Sequence, residues 1–193
     1  MSFIVDGPRF TNEGSIYGGL TMGEGSNFLD TRKGFISGKI YMLGGNDTML
    51  GGKRAEYVDG GEGNDKLSGN LGNDTFIGGA GINTLTGGGG KDSFVFAAAP
   101  MAGTMDIVRD FTSTDDTFKF KQSVFTSIGG KGKLAADALR FGSKAADAED
   151  RIIYQKSTGN LYYDPDGTGA EAQVQIAKLS NKAKLVLSDF MVI

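Results

Sequence analysis

The apolar residues in the middle of this chain recur every nine residues, each after a run of glycines and polar residues. Read from Gly60, the sequence is GGEGNDKLS, GNLGNDTFI, GGAGINTLT and GGGGKDSFV, four consecutive units that end at Val95. The phase extends back through GGKRAEYVD (51–59) and MLGGNDTML (42–50), and a looser copy, MGEGSNFLD, covers 22–30. Each unit predicts a glycine-rich turn over its first six positions and a very short strand over its last three.

One strand per nine residues gives two strands per coil, so residues 18 apart lie on neighbouring coils about 4.8 Å apart. The eighth position of each unit points inward in this arrangement. It is apolar in all six units: Met49, Val58, Leu67, Phe76, Leu85 and Phe94. The alternative is a flexible glycine-rich linker in which Asn-Asp pairs only form turns. Because a linker has no reason to keep six apolar residues in phase, we expect a solenoid with a thin core.

The sixth position of the units carries the candidate chemistry. One edge of the solenoid would stack Asp47, Asp65 and Asn83, and the other would stack Glu56, Asp74 and Asp92. Two carboxylates at this spacing repel by about 3 to 4 kcal/mol at an effective dielectric of about 20. A calcium ion between successive coils, bound by the carboxylates and by carbonyls of the glycine turns, would convert this repulsion into cohesion.

The pattern G-G-x-G-x-D-x-U-x, in which U is a large apolar residue, resembles the repeats-in-toxin (RTX) family of hemolysin-type calcium-binding repeats. The resemblance implies an all-β fold, a right-handed parallel β-roll capped by a C-terminal antiparallel β segment with a short helix. It also implies calcium ligands from one unit and from the unit 18 residues on, with Asp74–Asp92 and Asp47–Asp65 as the best pairs. The full set of candidate metal residues is Asp47, Asp65, Asp74, Asp92, Asn83, Glu56, Gly45, Gly61, Gly63, Gly72, Gly79, Gly81, Gly88, Gly90 and Asp110.

Two positions depart from the pattern. Asn83 keeps a ligand oxygen but loses the charge, and in the 51–59 unit Glu56 replaces Asp while Arg54 replaces a glycine. We expect that coil to bind calcium poorly, with Arg54 as a possible substitute for the cation. Asp110 could equally be a solvated carboxylate on a strand.

Glycine becomes scarce after Val95, which predicts a boundary between residues 97 and 103. The expected division is a flank with degenerate repeats (1–41), the β-roll (42–96), and a cap with a secretion signal (97–193). Polar and apolar residues alternate in DIVRDF (106–111) and DDTFKF (115–120), which predicts strands that close the roll. Residues 134–148 predict one short helix interrupted by Gly142, and residues 151–164 predict a hairpin around a turn at 157–160.

The loop from Asp164 to Thr168 begins like an EF-hand, but its twelfth position is Gln175 rather than a bidentate Glu. We therefore expect Asp164 and Asp166 to form an isolated turn, with a further calcium site as the alternative.

The composition excludes several kinds of chemistry. The chain has no cysteine and no histidine, which excludes disulfides, thiol nucleophiles, metzincin zinc sites and Ser-His-Asp triads, and it contains no G-x-S-x-G motif. A carboxylate pair could still act as a glycosidase. Because the calcium stacks already account for the acidic residues, we expect a protein that is not an enzyme. The net charge of -3, without a basic stripe, argues against nucleic acid as a partner, and no segment approaches the roughly 20 apolar residues of a membrane span.

The two ends of the chain bear on its destination. Residues 1–10 lack the basic and hydrophobic regions of a signal peptide. The last five residues, one acidic and four apolar, resemble the uncleaved type I secretion signal of serralysin-like proteases and lipases: Asp189, Phe190, Met191, Val192 and Ile193. We therefore expect a secreted, extracellular protein that leaves through a type I exporter and folds on binding Ca2+. The alternative is an adhesin-like module that binds extracellular polysaccharide, although the absence of tryptophan offers little for sugar stacking.

Overall fold

Short strands and glycine turns wind the chain into a parallel β-solenoid of about six coils in the computed structural model, which describes residues 2–193. The strands of the first half are β1 (Ser2–Val5), β2 (Arg9–Thr11), β3 (Ser15–Ile16), β4 (Gly19–Met22), β5 (Phe28–Asp30), β6 (Phe35–Ile36), β7 (Lys39–Tyr41), β8 (Thr48–Leu50), β9 (Tyr57–Asp59), β10 (Lys66–Ser68) and β11 (Thr75–Ile77). Those of the second half are β12 (Ile82–Thr86), β13 (Ser93–Phe96), β14 (Met105–Val108), β15 (Thr117–Phe120), β16 (Gly132–Lys133), β17 (Leu139–Phe141), β18 (Ile152–Gln155), β19 (Asn160–Tyr163), β20 (Val174–Leu179) and β21 (Phe190–Val192). The expected all-β, parallel roll is confirmed.

Two long sheets face each other across the core. One has the strand order β1-β4-β7-β9-β11-β13-β15-β21-β16, and the other β17-β18-β19-β20-β14-β12-β10-β8-β5-β2. From β8 to β13 each strand pairs in parallel with the strand 18 residues along, as Leu67 does with Met49 and with Leu85. The predicted inward column is buried throughout, with each of its six side chains at most 1% exposed.

The core changes character along the axis of the roll. In the first sheet one register column runs through Leu20, Ile40, Val58, Phe76, Phe94, Phe118 and Phe190. The rings of Phe76 and Phe94 stack with their centroids 5.9 Å apart, and Phe118 lies 5.9 Å from both Phe94 and Phe190. The aliphatic core of the early coils therefore becomes a ladder of aromatic rings toward the C-terminal end.

Residues 2–41 add strands to the same two sheets. Leu20 and Leu29 are fully buried, in register with Ile40 and Met49. These first coils also have a third, two-stranded sheet made of β3 and β6. The boundary expected at residue 42 thus marks where the nine-residue period becomes regular, and as a domain boundary it stays a prediction.

The C-terminal segment closes the roll with mixed pairing. Strands β14 and β15 continue the two sheets in parallel, as the alternation in 106–120 predicts. The predicted hairpin forms: β18 and β19 are antiparallel, and β20 pairs with β19 in the antiparallel sense and with β14 in the parallel sense. Last in the chain, β21 lies between β15 and β16.

The short helix expected over residues 134–148 does not form, and that prediction was wrong. Leu139–Phe141 is instead the strand β17, paired with β18. The run before Gly142 is too short to sustain a helix without tertiary support, and pairing with β18 satisfies its backbone groups. Within residues 2–193 the helical segments are two single 3-10 turns, Thr126–Ile128 and Leu187–Asp189, and no helix is long and apolar enough to cross a membrane.

Candidate metal centre

The sixth-position side chains form two buried stacks, one along each edge of the roll. On the first edge, Asp65 accepts a hydrogen bond through Oδ1 from the backbone N–H of Asp47 at 2.8 Å, and Asn83 accepts one from that of Asp65 at 3.0 Å. On the second edge, Asp74 accepts from Glu56 at 2.7 Å and Asp92 from Asp74 at 2.8 Å. All six side chains are at most 3% exposed. The structure therefore brings together the residues that the 18-residue spacing predicts.

Each carboxylate in these stacks uses one oxygen and leaves the other without a partner. In the two stacks, the buried oxygens without a hydrogen-bond partner are Asp47 Oδ2, Glu56 Oε2, Asp65 Oδ2, Asp74 Oδ2 and Asp92 Oδ2. A buried, unpaired carboxylate oxygen is costly, because it has lost its water and gained nothing in return. Five such atoms at the repeated position indicate that a ligand outside the chain belongs there.

Glycine carbonyls lie opposite these free oxygens. A Cβ atom placed on Gly60 would lie 2.5 Å from Asp65 Oδ2 and 2.5 Å from the carbonyl oxygen of Gly78. On Gly51 it would lie 2.8 Å from Glu56 Oε2 and 2.6 Å from the carbonyl oxygen of Gly69. Only glycine leaves this space open between two oxygens. The donor set, one carboxylate oxygen with carbonyls, fits calcium, which binds oxygen at about 2.3–2.6 Å.

Carboxylates alone cannot complete such a site. No group of three or more acidic side chains converges on a possible metal position among residues 2–193. Since calcium takes six to eight oxygens, backbone carbonyls and water must supply the rest. The eight glycines proposed as carbonyl ligands all have φ between +91° and +133°: Gly45, Gly61, Gly63, Gly72, Gly79, Gly81, Gly88 and Gly90. Their role as ligands stays a prediction.

Burial and mutual repulsion disfavour the charged form of these groups when no cation is present. Burial, then the charge of Asp74, raises the pKa of Glu56 to about 8. Burial, followed by the charges of Asp47, Asp106 and Asp59, raises the pKa of Asp65 to about 7. For Asp92, burial and the charges of Asp74 and Asp110 raise the pKa to about 6. A divalent cation would reverse these effects, because it stabilises the charged carboxylates.

Asn83 differs from the acidic members of the first stack. Its Oδ1 accepts the backbone N–H of Asp65, as the Oδ1 atoms of the stacked aspartates do. The other atom of its side-chain amide is Nδ2, which donates to Asp106 Oδ1 at 3.0 Å. An amide N–H thus lies where the stacked carboxylates leave a free oxygen. Asn83 fills that position internally, and calcium binding by this residue stays a prediction.

Arg54 does not take the place of a cation beside Glu56, and that expectation was wrong. The Arg54 guanidinium lies over the ring of Phe35, 4.6 Å from its centroid. Phe35 is half-buried and Arg54 is exposed, so this stacking leaves the guanidinium charge accessible to water. Glu56 instead accepts a hydrogen bond from Gly52 N–H at 3.2 Å and keeps its free Oε2.

Sequence reasoning missed three members of the stacks. The first is Asn27, whose backbone N–H donates to Asp47 Oδ1 at 2.7 Å. The second is Asp116, whose Oδ1 accepts the backbone N–H of Asp92 at 2.9 Å. The third is Asp106, whose Oδ1 accepts from the side-chain amide of Asn83. Asn27 is the sixth residue of the looser copy at 22–30. The phrase DDTF at 115–118 repeats NDTF at 73–76, which is the signal that could have identified Asp116.

Asp110 lies beside the second stack, where both of its oxygens accept backbone hydrogen bonds, from Gly87 at 3.0 Å and Gly88 at 2.9 Å. It therefore anchors the last repeat to the cap, and its role as a ligand stays a prediction. In the other acidic loop, Asp164 Oδ1 accepts from the backbone N–H of Asp166 and of Gly167, an arrangement typical of a turn. Asp166 Oδ1 is buried without a partner, so both the isolated turn and a further calcium site stay predictions.

The five C-terminal residues are part of the folded cap. Asp189 is buried and accepts hydrogen bonds from Ser113 Oγ at 2.7 Å and Val186 N–H at 2.8 Å. Phe190 and Val192 point into the core, while Met191 and Ile193 are each 38% exposed. Their role as a secretion signal stays a prediction.

Comparison with known proteins agrees with this geometry. Residues 43–76 and 68–98 match the RTX calcium-binding nonapeptide repeat, a family defined by 4 copies of the repeat. The chain is similar to a solved structure, the R3 subunit of the mannuronan C5-epimerase AlgE6 from Azotobacter vinelandii. The match has 27% identity and a TM-score of 0.50, and covers 76% of this chain and 77% of that one. No curated protein sequence matches. Residues 43–98 are therefore RTX calcium-binding nonapeptide repeats, and the free oxygens and glycine carbonyls lie within their coils.

Proposed function

We propose that the chain is exported unfolded through a type I exporter and folds outside the cell when calcium binds, and that it serves as an export, folding and stabilisation unit without catalytic activity. The observation that carries this proposal is the set of five buried carboxylate oxygens without partners. In the low calcium of a cytosol, repulsion within the two stacks keeps the chain open. Outside the cell, calcium bridges the coils.

Ligand binding supplies enough free energy for such a switch. A site at free calcium about ten times its dissociation constant adds roughly 1.4 kcal/mol to folding. Several such sites provide much of the marginal stability of a domain, which is about 5–15 kcal/mol. The core of the repeat region is thin, one inward residue per nine, so it contributes less than the core of a globular domain of the same length.

Circular dichroism with calcium and with chelator tests the folding step. We expect a β spectrum with calcium and a largely unordered one after chelation. A β spectrum that is the same in both conditions contradicts the proposal.

The packing of the C-terminal strand supports export before folding. Phe190 and Val192 are in the core of the folded cap, so an exporter can read this segment only in the unfolded chain. Deleting it would unfold the cap, and the export test therefore uses exposed positions. We expect Met191→Ser/Ile193→Ser to reduce secretion through a co-expressed type I exporter.

The matched control is Val186→Ser/Leu187→Ser, whose side chains are 42% and 37% exposed just upstream. Both double variants should fold in calcium. Equal secretion of the two would show that the terminal residues are not the signal.

A second candidate function is binding of an extracellular polysaccharide. It is favoured by the similarity to a subunit of an epimerase whose name states that it acts on mannuronan. Binding to immobilised glycans in calcium tests this function independently of export.

A further inference from the structure

The first two coils differ from the rest of the roll at the edge where Glu56, Asp74 and Asp92 stack. The residues before β4 and β7, the strands in register with β9, are Gly18 and Gly38 rather than acidic residues. The edge is widened there by the two-stranded sheet of β3 and β6. Residues 2–38 therefore contribute no carboxylate to this calcium stack.

An open cleft of about 580 Å³ lies at this widened corner. It is lined by cations from two successive turns, Arg32 and Lys33 from one and Lys53 and Arg54 from the next. Glu13 is the one acidic residue among the described lining residues. A chain with a net charge of -3 thus concentrates four of its cations at a single place.

Two of these cations are unpaired. Arg32 pairs with Asp30 at 2.7 Å and Lys33 with Glu13 at 3.2 Å. Within residues 2–193, Lys53 and Arg54 form no ion pair. Both are exposed, and the stacking of Arg54 on Phe35 holds its guanidinium in a defined orientation.

We propose that this corner, the basic cleft of Arg32, Lys33, Lys53 and Arg54, binds a carboxylate-bearing polysaccharide. A guanidinium and an ammonium together favour carboxylate oxygens. The cations come from coils stacked about 4.8 Å apart, and a polyuronate likewise presents one carboxylate per sugar at a regular repeat. A recessed cleft fits an extended chain better than it fits a flat lipid surface.

This inference rests on the calcium-folded state proposed above and deepens the second candidate function. The test uses the full chain in calcium, with its fold checked first by circular dichroism. The probes are mannuronan oligosaccharides, neutral dextran and vesicles that contain anionic phospholipid. We expect saturable binding to mannuronan that weakens as salt is added, and none to dextran.

The test variant is Lys53→Ala/Arg54→Ala, and we expect it to weaken mannuronan binding by about tenfold or more. Its control, Lys66→Ala/Lys156→Ala, removes the same charge from exposed positions away from the cleft and should bind like the parent. Lys53→Glu alone leaves the Arg54–Phe35 stack in place and should also weaken binding.

Three results would overturn the inference: no saturable binding by the folded protein, equal weakening in both double variants, or tighter binding to the vesicles than to mannuronan. A chain that fails to fold in calcium would instead contradict the proposed folding function, so the two failures are distinguishable.

Discussion

The two oxygens of each stacked carboxylate have different roles. Oδ1 of Asp65 holds the backbone N–H of the preceding coil, and Oδ2 is buried without a partner. The first contact is independent of metal, whereas the second oxygen is stabilised only when a cation is present. Replacing Asp by Asn keeps the first role and removes the second, so its effect on stability should depend on calcium.

We predict that Asp65→Asn changes stability in opposite directions with and without calcium. With saturating calcium, the loss of a ligand should lower the free energy of unfolding by about 1–3 kcal/mol. Without calcium, at pH 8 where Asp65 is charged, the loss of this buried charge should raise the free energy of unfolding. Urea unfolding under both conditions measures the two changes, with the exposed Asp137→Asn as control. A change of the same sign in both conditions contradicts this account.

We predict that Asn83→Asp, which adds a charged carboxylate to the first stack, makes stability depend more strongly on calcium. The new Oδ2 replaces the amide that bonds Asp106, so the protein without calcium should lose about 1–3 kcal/mol of stability. Calcium should restore this stability, and the fraction folded should rise more steeply with calcium concentration. Asn64→Asp is the matched control, because Asn64 is exposed and accepts from Ile82 N–H through an oxygen that Asp retains. Identical calcium dependence in both variants would show that position 83 is not equivalent to the positions of the stacked carboxylates.

The coil is the element that the repeat specifies, and its turns depend on glycine for space as well as for conformation. Gly63 has φ of +121°, and a Cβ there would collide with the carbonyl oxygen of Gly45 one coil earlier. The coils can stack at strand spacing only because no side chain stands between them. The C-terminal cap, in contrast, has no such period, and its strands vary from two to six residues in length.

We predict that Gly63→Ala separates two adjacent coils and costs at least about 1–3 kcal/mol of stability in calcium. Thermal unfolding followed by circular dichroism measures the loss, together with the calcium concentration needed to fold. The control is Gly130→Ala, where a Cβ would meet nothing within 4 Å. Equal melting of the two variants would contradict the role given to the glycine turns.

At the scale of the whole molecule, the raised pKa values link folding to pH as well as to calcium. The folded chain keeps protons on buried carboxyl groups, such as Asp65 with a pKa of about 7, at a pH where the unfolded chain has lost them. Burial also raises the pKa of Asp92 and the pKa of Asp116 to about 6, so these groups behave in the same way. The protonated groups therefore stabilise the metal-free fold fully below about pH 4, and this contribution is lost as pH rises through 6 to 8.

We predict that the metal-free protein is more folded at pH 5 than at pH 8. Calcium should have the opposite pH dependence, because it competes with protons for the same oxygens. Circular dichroism of the calcium-depleted protein across this range measures the first effect, and Asp65→Asn should reduce it. Stability that rises with pH in the absence of calcium would contradict the prediction.

Local periodicity accounts for what could be predicted from sequence. The nine-residue repeat alone determines the coil, the inward column from Met49 to Phe94 and the two carboxylate stacks, because a constant spacing brings equivalent residues together at every turn. The same reasoning fails where the spacing changes. Asp106 and Asp116 follow their neighbours in the stacks by 23 and 24 residues, so a fixed period does not find them.

Tertiary structure decided the remainder through long-range contacts. Pairing with β18 made residues 139–141 a strand, and the Arg54 guanidinium stacks on the ring of Phe35 instead of pairing with Glu56. Asn83 resembles a weak ligand in the sequence, yet its amide meets Asp106 from the cap. These outcomes depend on which partner happens to lie nearby in the folded chain. A repeat specifies its own neighbours, whereas a segment without a period acquires its neighbours only when the chain folds.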